Sequence, residues 1–269
     1  MELLLNISEI AIITGDNQYK TKREYLIDFW KKNAKEDFFK YKELTKFVKE
    51  TDDDVIKKIT IKNNIDITLE LNKCIKSGNT TDLNNAKKNI LTKMNNLNET
   101  EKKEITKSLD NVTNTRFGIK NENDITKIYE TMIGSTIIKD NKYRKIQILE
   151  SSECKIYIGG KIDGFNNDKN IIVEIKNRVN KLFYTLRNYE KVQIMCYMYL
   201  LNIKNAHLVE AFKKKDGTEI NVIEVPFEKD YMEYILDKIT EFSKFFCKFI
   251  KDHNAKLNIL NSNDEIIFN

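Results

Sequence analysis

IYIGGKIDGFNNDKNIIVEIKNR, residues 156–178, is the stretch on which the fold turns. Two apolar runs flank the turn-forming cluster Asn166, Asn167, Asp168 and Asn170, the pattern of a β-hairpin closed by a loop of about four residues. With a loop at 167–170, residue 166 pairs with 171, and counting outward sets Asp163 opposite Glu174. Lys176 lies two residues beyond Glu174, so both project from the same face. Ile172, Val173 and Ile175 make the second strand apolar enough to be buried. Facing carboxylates repel by roughly 0.2–1 kcal/mol even at a surface, and burial raises the cost until a cation or donor compensates.

Working outward, residues 144–149 and 154–163 read as strands ahead of the loop, and 171–176 as the strand after it. A helix is expected at about 187–203, strands at 207–212 and 219–225, and a long amphipathic helix at 228–252 with Ile235, Ile239, Phe242, Phe246 and Phe249 on one stripe. Before the hairpin, RFGIKNENDITKIYETMIG from Arg116 has the spacing of a helix with one buried face. Residues 7–32 read as two short helices about a Gly-Asp-Asn turn. The expected fold class is therefore α/β, a mixed central β-sheet flanked by helices. Four segments are expected: 1–32, an N-terminal helical part of the core; 33–114, a mostly helical insertion rich in Asn; 115–253, the core; and 254–269, a tail.

The chain has 269 residues, 41% hydrophobic and 32% charged, with a net charge of +5, a globular composition that permits a nucleic-acid partner without demanding one. Asn, Ile and Lys are over-used throughout, so a Lys-rich segment means little alone. Cys74, Cys154, Cys196 and Cys247 are scattered without a CxxC pair, which disfavours a zinc ribbon or disulfide framework. No apolar run reaches a membrane span, and the start, MELLLNISEIAII, lacks a basic leader. The expectation is a cytoplasmic protein with no membrane partner.

Asp163 and Glu174, with the backbone carbonyl of Ile175, make an all-oxygen donor set suited to Mg²⁺ or Mn²⁺. Lys176 is then placed to orient or deprotonate a water attacking phosphorus. Acid-x-Lys alone is uninformative in so Lys-rich a chain; Glu101-Lys-Lys103 matches it too. The apolar strand, the Gly-x-x-Asp-Gly at 160–164 and the facing geometry together give it meaning. Gln193 is the one polar residue in VQIMCYMYLL, 192–201, and needs buried partners, from an active site or from nearby backbone. Tyr189 and Tyr197, one helical turn either side, share its face and either stack on bases or pack in the core. Arg178, Lys181 and Arg187 are candidate phosphate contacts.

These motifs resemble the PD-(D/E)XK nucleases, specifically the YqaJ and lambda-exonuclease-like branch, over residues 7–32 and 116–250. SEIAIITGDNQYKTKREYLIDFW is similar to the branch's amino-terminal motif. Arg116-Phe-Gly, Asn121-Glu122 and Tyr129-Glu130 match its first core helix, Asp163-Gly and Glu174-Ile-Lys176 its catalytic hairpin, and Tyr189-x-x-x-Gln193 with Tyr197 the helix that follows. The resemblance implies a restriction-endonuclease-like core. It implies that Glu122 joins Asp163 and Glu174 around the metal and that Gln193 lies beside Lys176. Ser8 falls where relatives place a polar residue near the 5′-phosphate, although a helix N-cap is the favoured reading of it. The implied activity is exonucleolytic, on double-stranded DNA ends, from 5′ to 3′. A structure-selective endonuclease or junction resolvase, and an inactive fold that binds DNA or a helicase partner, remain open, as does a homo-oligomer. The cysteines are not spaced for the iron–sulfur cluster of some relatives, so no cluster is expected.

Overall fold

The chain enters as a strand, which the reading of residues 1–32 as helical omits. In β1 (Glu2–Asn6) the side chains alternate, and Leu3 and Leu5 are fully buried. The structure is a computed structural model describing residues 1–139, 142–262 and 265–268. β1 pairs in parallel with β3 (Lys155–Gly160), whose other edge takes β2 (Arg144–Glu150) antiparallel. A second sheet has the order β4 (Gly164–Asn166), β5 (Ile171–Arg178), β6 (Asn205–Lys213) and β7 (Thr218–Pro226), with β5 and β6 parallel and the outer pairs antiparallel. The fold is mixed α/β.

Helices cover the sheets. α1 (Ile10–Thr14) ends at Gly15, whose φ of 86° is the left-handed cap that glycine takes most readily. α2 (Lys22–Asn33) starts from a Thr21/Glu24 capping box. α8 (Asn188–Leu201) makes the crossover between parallel β5 and β6, and Val192, Ile194, Met195 and Met198 are fully buried. α9 (Lys229–Phe249) lays Ile235, Ile239, Phe242 and Phe246 into the same core, with Phe246 edge-on to Phe29 of α2 at 4.8 Å between ring centroids. The expected tail contains a further helix, α10 (His253–Asn261), which buries Ile259 and Leu260; Asn263, Asp264 and Asn269 lie outside the described residues.

Between α2 and the sheets come α3 (Lys35–Thr45), α4 (Asp52–Lys62), α5 (Thr68–Lys76), α6 (Thr80–Lys93) and α7 (Glu99–Ile133). α4 to α7 enclose a separate apolar cluster that includes Ile56, Leu83, Ile90, Ile105 and Phe117. The boundary placed at 114 falls inside α7, one continuous helix of 35 residues from its Asn98 cap to Gly134. Its first half closes the helical cluster, and its second half sets Ile125 and Tyr129 against Val173 and Ile175 of β5. α7 is therefore the shared wall between helical arm and sheet. Among the described residues, no helix is long and apolar enough to cross a membrane.

β5 is buried on both faces, which separates its side chains into two sets. Val173 and Ile175 meet α7, whereas Ile172 joins the large core with α8. Glu174, Lys176 and Arg178 alternate with the α7-facing set and reach partners on α8 and β6.

Candidate functional site

The hairpin loop is 167–170, and the ladder runs Asn166 to Ile171, Phe165 to Ile172 and Gly164 to Val173, the register the turn residues predict. β4 is only three residues long, and the expected strand 154–163 breaks at 161–163. At Gly160, the last residue of β3, a Cβ would stand 2.9 Å from the Tyr197 ring, so the close approach of α8 requires glycine there. Asp163 sits in a bend just ahead of β4, and its Oδ2 accepts the Ile175 N–H at 2.8 Å. An extended residue presents its N–H and C=O on the same edge, so the Ile175 carbonyl leaves β5 on the edge where Asp163 lies.

Glu174 is 2% exposed. Its Oε1 accepts from Lys176 Nζ at 2.7 Å and from Gln193 Nε2 at 2.9 Å, and Lys176 also donates to Gln193 Oε1 at 3.2 Å. Gln193 thus bridges the acid and the amine. Glu174 Oε2 is buried and has no hydrogen-bond partner. Burial, and then the charge of Glu174, push Asp163 up to about 8, despite the opposing pull of Lys176 and the Ile175 N–H. Burial works against the Lys176 ammonium too, yet Glu174 and Asp163 together hold it above its usual range. The local charge balance is short of positive charge.

That deficit suits a hard divalent cation: the donors are oxygens, two are carboxylates, and one buried carboxylate oxygen lacks any partner. Asp163, Glu174 and the Ile175 carbonyl are the residues able to hold it. Glu122 does not complete a trio. It is half-buried on α7, is bound by Lys139 Nζ at 2.9 Å, and touches the site through its weak upward push on Asp163. Among the described residues, no three His, Cys, Asp or Glu side chains are grouped to hold a metal.

Of the candidate nucleic-acid contacts, Arg178 and Tyr197 are buried beside the hairpin site rather than open to a strand. Arg178 is 8% exposed and spends its charge inside the protein. Its guanidinium donates to both oxygens of Glu190 at 2.7 and 3.1 Å and through Nε to Glu210 at 2.8 Å. Both acids are 0% exposed, so desolvation makes this pairing obligatory. Tyr197 is buried over Gly160 and has no face for a base. Ser8 is exposed in a 3-10 turn, Ile7–Glu9, and caps nothing; the α1 N-cap position is Glu9. Lys181 and Arg187 are exposed, with Arg187 stacked 4.2 Å from the Phe183 ring centroid. Tyr189 is half-buried and meets Tyr19 edge-on at 5.5 Å.

Glu190, Glu210 and Tyr19 escape a sequence reading to different degrees. Glu210 is a lone acid inside the apolar strand HLVEAF, a signal that a buried cation must face it. Glu190 looks like any solvated first-turn acid, and Tyr19 like any loop tyrosine.

No protein-family model matches the chain, and no curated protein sequence does. Solved structures similar to it include a phage-related exonuclease from Haemophilus somnus 129PT, at 12% identity and a TM-score of 0.47 over 93% of this chain and 96% of that one. An alkaline exonuclease from Laribacter hongkongensis is similar at 14% identity and a TM-score of 0.40 over 68% of this chain and 90% of that one. Its complex with dAMP gives 12% identity and 0.40 over 70% and 92%. At this level of identity and superposition, those proteins' activities do not transfer to this chain.

Proposed function

We propose that the chain is a metal-dependent deoxyribonuclease of the PD-(D/E)XK type that hydrolyses phosphodiester bonds. Asp163, Glu174 and the Ile175 carbonyl hold Mg²⁺ or Mn²⁺ in this reading, and Glu122 is a third acid at the margin. The observation that carries it is the Glu174 carboxylate, buried with one oxygen bound twice and the other without a partner, beside an Asp163 unable to ionise freely. A cation held by these residues would supply Lewis-acid stabilisation of charge developing on the phosphate.

The chain's own residues do the rest. Lys176 uses two of its three N–H donors on Glu174 and Gln193, leaving one for the attacking water or a phosphate oxygen. Gln193 fixes the ammonium by accepting from it while donating to Glu174, so neither long side chain can rotate away without breaking the other's contact. Ile172, fully buried on the face of β5 that carries Glu174 and Lys176, limits water access there, which strengthens each electrostatic contact. Lys181 and Arg187 offer exposed charge to phosphates. The exonuclease form, acting from 5′ to 3′ on duplex ends, follows from the motif resemblance.

The test is incubation of purified protein with end-labelled linear and closed circular DNA, with Mn²⁺ and with chelator. Linear DNA shortened only with metal, and circles left intact, is the expected result. Cut circles would establish internal cleavage instead, and no metal-dependent product from either DNA would refute hydrolysis.

A further inference from the structure

We infer that the groove between the Tyr19 turn and the first half of α7 binds single-stranded DNA leading to the hairpin site. The inference rests on the nuclease reading and adds the path of the strand. The groove, about 600 Å³, is walled on one side by Gln18 and Tyr19 and on the other by Lys102, Lys103 and Lys107 with their α7 neighbours. Lys103, Lys107 and Asn114 recur at helical spacing on the side of α7 away from Ile105 and Leu109, which are buried in the helical cluster. The one acid in the wall, Asp110, is neutralised by Lys87 at 2.7 Å. Lys103 and Lys107 are exposed and line the groove, Lys107 standing between it and the cavity on the other side of Tyr19.

Tyr19 is the second, independent component. Asn17 Oδ1 accepts the Tyr19 and Lys20 N–H groups, fixing the turn, and the Tyr19 ring is 58% exposed. A presented ring flanked by lysines is the arrangement that stacks an unpaired base while its phosphates meet ammonium groups. A base inside a duplex offers no free face to such a ring, which selects a single strand. The Tyr19 ring meets Tyr189, and Tyr189 lies one turn of α8 before Gln193, which contacts Glu174 and Lys176, so the Tyr19 end of the groove is the end nearer the hairpin in contact terms. The cavity on the other side of Tyr19 mixes Glu24, Glu50, Asp52 and Glu104 with Lys20, Lys49, Lys58 and Lys107, and so lacks the basic excess of the groove.

The test uses the full chain in chelator, where no cleavage intervenes, and fluorescence anisotropy of a labelled 20-nucleotide oligo-dT. Tyr19→Ala is expected to weaken binding about tenfold with an unchanged salt slope, and Tyr19→Trp to preserve it. Replacing Lys102, Lys103 and Lys107 by alanine should lower the slope of log affinity against log salt by about 2. Closed circular duplex at equal nucleotide concentration, which has no ends for the hairpin site to take, should compete poorly. Unchanged affinity and slope in the variants, or closed circular duplex competing as well as single strand, would overturn the groove. Groove-dependent binding without Mn²⁺-dependent cleavage would instead defeat the nuclease reading and leave the groove standing.

Discussion

Two clusters of buried charge stand two residues apart on one face of β5, and they differ in whether they are complete. Around Arg178, one guanidinium faces Glu190 and Glu210, and each carboxylate oxygen has a partner: Glu210 also accepts from Phe183 N, Tyr184 N and Asn221 Nδ2. Around Lys176, one ammonium faces Glu174 and Asp163, one buried carboxylate oxygen has no partner, and Asp163 is pushed up to about 8 by burial and by Glu174. The strand and the charge types are the same in both. A closed cluster is architecture, fixing α8 against β5 and β6; an open one stores an electrostatic deficit that a cation relieves.

Removing one member of each cluster sharpens the contrast. Lys176→Ala should lower Mn²⁺-dependent cleavage by at least ~100-fold, the low end for a lost proton-transfer or charge-donating group. Without metal the same variant should also be less stable than the wild type, because Glu174 is left buried without its ammonium. A cleavage rate near normal would remove Lys176 from the chemistry. Arg178→Ala should cost about 3–5 kcal/mol of stability, because two carboxylates are left buried without their cation; chemical denaturation reads this directly. A loss below ~1 kcal/mol would mean that the acids find water or each other's protons.

The smallest expected effect concerns pH. In the metal-free protein, Asp163 keeps its proton to about 8 when folded, against 3.8 as the ordinary value. Between those limits the unfolded chain releases a proton that the folded chain retains, so stability falls as pH rises through that window and levels off above about 8. Asp163→Asn removes the ionisable group. It should flatten this slope and raise the metal-free melting temperature near pH 8 by ~2 °C or more, where about 1 kcal/mol corresponds to ~2–4 °C. Parallel pH profiles for wild type and variant would contradict the assignment.

What the sequence makes legible follows from where the physics is local. Asn166 to Asn170 close the hairpin by turn chemistry, and the period-2 count from that loop gives the register. Gln193 stands out because an amide in an apolar helix must find partners, and it finds Glu174 and Lys176. The helices and strands after the hairpin follow from apolar spacing. The rest depends on contacts distant in sequence. β1 is five residues whose strand state comes from a partner about 150 residues away. α7 continues across Arg116 because its halves bury different stripes, in the helical cluster and on β5. Arg178 looks like a phosphate ligand until Glu190 and Glu210 are seen beside it.

The claim that Asp163 and Glu174 form the incomplete cluster is tested most directly by calorimetric titration of Mn²⁺ into the wild type, Glu174→Gln and Lys176→Ala. The account predicts saturable binding by the wild type, its loss in Glu174→Gln, and its retention in Lys176→Ala. Equal Mn²⁺ binding by the wild type and Glu174→Gln would contradict it.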